Sequence, residues 1–174
     1  MSSGVLVDTS FLISFVDKTQ PYHSEAMSYY RSAVEGKILL YLSSLVVAEF
    51  SRKQDITNLP FKTFLPAPFN LPEGRLAAQI ANLVNAKKTT DDKQRVGVDV
   101  MLIAQAEMME DVKAVITADT NTLVKFAGQA RTHGVVKKGV VDICKGFYYQ
   151  RLADPFYIPV PPAVVVPPTP APLI

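Results

Sequence analysis

Four acidic residues stand where a charge is out of place. Asp8 ends the apolar run GVLV, Glu49 sits between Ala48 and Phe50, Asp99 sits between Val98 and Val100, and Asp119 follows AVITA. A carboxylate in an apolar stretch carries a desolvation penalty and needs a partner or a task. Carboxylates brought within a few ångströms repel one another and raise each other's pKa unless a cation neutralises them. Four such groups in one crevice therefore predict a divalent-cation site. Magnesium is the expected occupant, and manganese would fit the same ligands. Magnesium prefers oxygen, keeps several waters and takes one or two protein carboxylates directly, which leaves room for a phosphate oxygen and an attacking water. That chemistry needs no side-chain nucleophile. The single cysteine, Cys144, and the lone histidines His23 and His133 have no ligand spacing, which argues against structural zinc.

The elements that must position these acids follow from hydrophobic period and turn residues. Short apolar runs predict buried strands over Gly4–Val7, Ile38–Leu42 and Ala114–Ala118, with one or two more within Val135–Ile143. Helices are expected over Phe11–Val16, from Pro21 to the stop at Gly36, over Leu45–Lys53, Arg75–Ala86 and Gly97–Asp111, and over Thr120–Phe126 before Gly128. Thr89–Arg95 reads as a polar loop, and the Phe/Pro segment Phe61–Phe69 as a packed loop or edge strand. Strands alternating with helices predict an α/β fold, three-layered α/β/α around a central parallel sheet. In such sheets the ligand crevice lies outside the carboxyl ends of the strands. Asp8 and Asp119 end strands, Glu49 lies about one turn into the helix after the second strand, and Asp99 falls in the first turn of its expected helix.

A chain of 174 residues with 48% hydrophobic content fits one domain and a tail. The boundaries expected are one folded domain over residues 1–153 and a Pro-rich tail over 154–174. Eight prolines between Pro155 and Pro172 would break any membrane helix there and favour extended polyproline II. The start MSSGVLVDTS has no basic stretch followed by a long apolar one, so no secretory leader is expected, and with the single cysteine this predicts a cytoplasmic location. A net charge of +2 leaves any nucleic-acid partner to be held by local basic groups such as Arg52 and Lys53.

The segments VLVDTSFLISF, LYLSSLVVAEF, GVDVMLIAQAEM and AVITADTNTL resemble the four blocks of the PIN-domain nucleases, and among them the VapC-like toxins of toxin-antitoxin pairs. The likeness spans Val5 to about Ile143. It implies hydrolysis of an RNA phosphodiester by a metal-activated water, leaving a 5′-phosphate and a 3′-hydroxyl. It also implies that Asp8 ligates the metal, that Asp99 coordinates or orients the same ion, that Glu49 acts through a metal-bound water, and that Asp119 completes the cluster. Asn121, Thr9 and Ser10 are expected to add polar contacts. A protein antitoxin that blocks the crevice with a basic side chain and a homodimer are the partners that the family implies.

Each acid also has a plainer explanation. Asp8 and Asp119 could cap helices or turns, Asp99 could complement a helix N-terminus, and Glu49 could face solvent. Their conjunction favours the site. An aspartate-nucleophile phosphatase would need a second Asp where Ser10 stands, and a structure-specific DNA nuclease is usually larger. A non-catalytic RNA-binding or scaffold PIN domain and a housekeeping RNA-processing nuclease are the remaining alternatives.

Overall fold

In the computed structural model, residues 3–84 and 90–160 are described, with backbone alone for 90–96. Among them, β1 (Gly4–Val7), β2 (Leu39–Ser43), β3 (Phe64–Ala67), β4 (Val112–Thr117) and β5 (Gly139–Asp142) form one sheet in the order β3-β2-β1-β4-β5, and every pairing is parallel. The helices are α1 (Thr9–Val16), α2 (His23–Glu35), α3 (Ser44–Phe50), α4 (Leu71–Leu83), α5 (Thr90–Met108) and α6 (Leu123–Thr132). The α/β class expected from the sequence is the class observed.

The strand order explains the layering. The chain steps outward from β1 to β3, then returns across the sheet to β4 and β5. Right-handed crossovers put α1, α2 and α3 on one face and α4, α5 and α6 on the other. The packing agrees: α1 contacts α2 and α3, whereas α4, α5 and α6 contact one another. With both faces covered, the central strand is continuously apolar, and Val5, Leu6 and Val7 are fully buried. The chain changes direction between β1 and β4, so their adjacent carboxyl ends form the crevice where a ligand is expected.

Several boundaries differ from those expected. The segment Thr89–Arg95, read as a loop, belongs from Thr90 onward to α5. Asp, Lys, Gln and Arg are all compatible with helix, and Gly97 inside it costs only about 1 kcal/mol. Asp99 is therefore mid-helix. Helix α6 runs past Gly128 to Thr132 and stops at Gly134, whose φ of 70° is left-handed. There Val135 N–H closes on the Ala130 carbonyl and Gly134 N–H on that of Arg131, a common way to satisfy the last carbonyls of a helix. Helix α4 starts at Leu71, earlier than Arg75, with a capping box between Asn70 and Glu73. Its expected end at Ala86 lies outside the described residues. After a 3-10 turn at Ile56–Asn58, the Phe/Pro segment forms a second 3-10 turn (Phe61–Thr63) and the edge strand β3. Pro66 is tolerated in β3 because one side of an edge strand has no neighbour.

Gly4 is required by close approach. A Cβ there would lie 2.7 Å from Cε2 of Tyr41, whose ring crosses the start of β1 so that its hydroxyl reaches the Asp111 carboxylate. Pro155 packs on Gly139, and the Arg131 guanidinium lies 4.1 Å from the centre of the Phe156 ring. The polyproline II reading of the tail 154–174 lies outside the described residues from residue 161 onward. No helix among the described residues is long and apolar enough to cross a membrane.

Candidate active site

Asp8 leaves β1 with an extended backbone (φ −94°, ψ 159°) and caps α1, its side chain accepting from Ser10 N–H. It is thus the helix cap of the plainer reading, yet the rest of its environment exceeds what capping needs. The Ser10 hydroxyl donates to Asp8 Oδ2 at 2.6 Å, and the Thr117 hydroxyl, at the end of β4, donates to the same oxygen at 2.7 Å. Both hydroxyls also accept backbone donors: Ala118 N–H on Ser10 at 2.8 Å and Asp119 N–H on Thr117 at 2.8 Å. Burial pushes the Asp8 carboxyl above its ordinary 3.8, opposed by the hydrogen bonds from Ser10 and Thr117.

Asp99 faces this group from α5. Sitting mid-helix, it has no free N–H groups or positive helix end to complement, so the dipole explanation does not apply. It is 8% exposed, and its buried Oδ2 has no hydrogen-bond partner among the described residues. Burial pushes its carboxyl up to about 7; the charges of Asp8, Asp119 and Glu49 push the same way, and the Thr122 hydroxyl partly opposes them. Asp8, Glu49 and Asp119 thus all act on Asp99 in the folded chain, reaching it from the end of β1, from α3 and from the β4–α6 turn.

Glu49 is half-buried on α3, and the Thr9 hydroxyl donates to its Oε2 at 2.5 Å. Asp119 is engaged as a turn cap: its carboxylate accepts Asn121 N–H and Thr122 N–H, each at 2.9 Å, and the Thr122 hydroxyl at 2.6 Å. The expected polar contacts of Thr9 and Ser10 are present. Asn121 differs, since its side chain is exposed and only its backbone amide reaches Asp119. Thr122 supplies the hydroxyl instead. Thr117 and Thr122 are not among the residues expected from the sequence; the available signal for Thr117 is a hydroxyl residue closing an apolar strand just before an acid.

Among the described residues, no three His, Cys, Asp or Glu side chains form a ready-made metal-ligand group. The donor set nevertheless suits a hard divalent cation that keeps most of its waters. It consists of carboxylate oxygens, and the buried Oδ2 of Asp99 has its hydrogen-bonding capacity unused among the described residues. Cys144 is no nucleophile candidate. Burial raises its thiol pKa, and its Sγ donates to the Ala118 carbonyl at 3.3 Å.

No protein-family model matches the chain, and no curated protein matches it. Among solved structures, it is similar to the one described as FitAcB from Neisseria gonorrhoeae, with 18% sequence identity and a TM-score of 0.47, covering 84% of this chain and 98% of that one.

Proposed function

We propose that this chain is a magnesium-dependent endoribonuclease of the PIN type that hydrolyses RNA phosphodiesters and serves as the toxin of a toxin-antitoxin pair. One observation carries the catalytic part. Asp99 is buried mid-helix in the field of Asp8, Asp119 and Glu49, with one oxygen unpartnered among the described residues and its pKa pushed up to about 7. A fold tolerates such a carboxyl at a functional site more readily than elsewhere, because a bound cation offsets the cost of burial.

In this reading Asp8 and Asp99 hold the ion, with Asp119 completing the set from the β4–α6 turn. When bound, magnesium supplies charge neutralisation for a phosphate and lowers the pKa of a water for in-line attack. Glu49, oriented by Thr9, adds negative charge on the α3 side of the crevice. Manganese fits the same oxygens. The toxin role, the homodimer and an antitoxin bringing a basic side chain into the acids rest on the resemblance of the four sequence blocks. An acidic crevice of this kind is complementary to such a side chain.

The test is to incubate purified protein with single-stranded and structured RNA, with magnesium, with manganese and with EDTA. Cutting that needs the metal and stops with chelator supports the reading. Binding without cutting under every metal condition would favour the scaffold alternative.

A further inference from the structure

We propose that Thr117 is a positioning residue that selects which Asp8 oxygen is presented to the crevice and ties the Asp119 turn to that choice. The inference rests on the nuclease reading for its ion, and on hydrogen-bond geometry for everything else.

A hydroxyl has one hydrogen to give and lone pairs to receive. Thr117 is fully buried, so its hydrogen bonds are fixed by the protein and not shared with bulk water. Its hydrogen goes to Asp8 Oδ2 at 2.7 Å, and its oxygen receives Asp119 N–H at 2.8 Å. One atom thereby links the carboxylate at the end of β1 to the backbone of the acid after β4. The Ser10 hydroxyl lies 2.9 Å from Thr117 Oγ1 and also serves Oδ2, while its own oxygen receives Ala118 N–H. With Ser10 N–H included, three donors converge on Oδ2; the Thr9 backbone amide is a further contact of the carboxylate, and among the described residues no side chain donates to Oδ1.

Two consequences follow. The carboxylate plane of Asp8 is fixed by groups on α1 and β4, so Oδ1 is the oxygen left to meet a cation, with Oδ2 turned into the protein. The loop carrying Asp119 is held at a set distance from Asp8 by a single buried hydroxyl, so loss of that hydroxyl disturbs two acids together. Ser10 cannot replace Thr117, because its oxygen already serves Ala118 N–H while Asp119 N–H is held by Thr117. Groups that orient ligating carboxylates typically change metal affinity by about 10–100-fold when removed.

The experiment compares the parent with Thr117→Val, Thr117→Ser and Ser10→Ala by titrating Mn2+ into metal-free protein by calorimetry, with the fold checked by far-UV circular dichroism. Thr117→Val keeps the shape and removes the donor; Thr117→Ser keeps the donor. The expected result is about tenfold or greater weakening of Mn2+ binding in Thr117→Val and restoration to within about threefold of the parent in Thr117→Ser. In RNA cleavage at saturating Mn2+, the Val variant should recover part of its kcat with KM for RNA unchanged, which a general loss of packing would not produce. If Thr117→Val does not fold, Thr117→Cys, with a similar volume and a weak donor, is judged by the same tenfold criterion. Parent-like Mn2+ affinity in a folded Thr117→Val, or failure of Thr117→Ser to restore it, overturns the proposal while leaving the nuclease reading intact. Absence of Mn2+ binding by the parent overturns both.

Discussion

Replacing Asp99 by Asn should stabilise the metal-free protein at neutral pH and flatten its stability across the weakly acidic range. The Asp99 carboxyl is pushed from 3.8 up to about 7, first by burial and then by Asp8, Asp119 and Glu49. For an acid whose pKa is higher folded than unfolded, the native state holds the proton more tightly. Its stabilising contribution is complete below pH 3.8 and is lost as pH rises through about 7. The displacement corresponds to a ceiling of roughly 4 kcal/mol. Water entry and relaxation reduce such penalties, so a realised gain of about 1–3 kcal/mol, or about 2–12 °C in melting temperature for a chain of this size, is expected above pH 7. An amide also suits the place, since its N–H groups can donate to the surrounding carboxylates. The assay is thermal melting in EDTA from pH 4 to pH 9 for both proteins, where the difference between them isolates Asp99 from the other carboxylates. The two curves should meet near pH 4 and separate through pH 7. A variant that melts below the parent at pH 8, or a difference that does not change with pH, refutes the reasoning.

Other consequences concern the scaffold and the ion. Gly4→Ala drives a methyl into the Tyr41 ring, to 2.7 Å from Cε2, and should cost about 1–3 kcal/mol. Tyr41→Phe, which removes the donor to Asp111, should cost about 1 kcal/mol; urea midpoints measure both. Gly128→Ala, inside α6 with open space around it, should raise stability by about 0.5–1 kcal/mol. Gly134→Ala, at a φ of 70°, should lower it by about 1 kcal/mol; melting curves of the pair read out the two signs. Magnesium or manganese at about 100 times its Kd should stabilise the parent by about 2.7 kcal/mol in a thermal shift, and no shift at millimolar concentration would count against a preformed site.

The parallel sheet is legible in the sequence because both its faces are covered, which leaves runs such as GVLV and AVIT without polar alternation. The acids are legible for a related reason, since each interrupts an apolar segment. Boundaries decided by tertiary context are not. Gly97 and Gly128 look like breaks, but each sits in a helix that packing sustains, and the true stop at Gly134 is marked by backbone conformation, not by residue type alone. The sequence accordingly puts Asp99 in a first turn, where a dipole could explain it; its mid-helix position removes that explanation. Thr117 escapes notice because a threonine in a strand is ordinary, and its importance arises only when β1 and β4 become neighbours. Asp119 shows the reverse case: its carboxylate caps a turn as a plain reading suggests, while its charge still bears on Asp99.

Asp8→Asn tests the central claim most directly, because it keeps the side chain's shape and its capacity to accept from Ser10 and Thr117 while removing the charge that would hold the ion. The measurement is the initial rate of single-stranded RNA cleavage in magnesium, parent and variant side by side, with metal-free melting temperatures as the control for folding. The expected result is collapse of cleavage in a variant that melts at or slightly above the parent in EDTA. Cleavage by Asp8→Asn at the parent rate, or a metal-free melting temperature far below the parent's, would contradict the assignment and leave Asp8 as a structural cap.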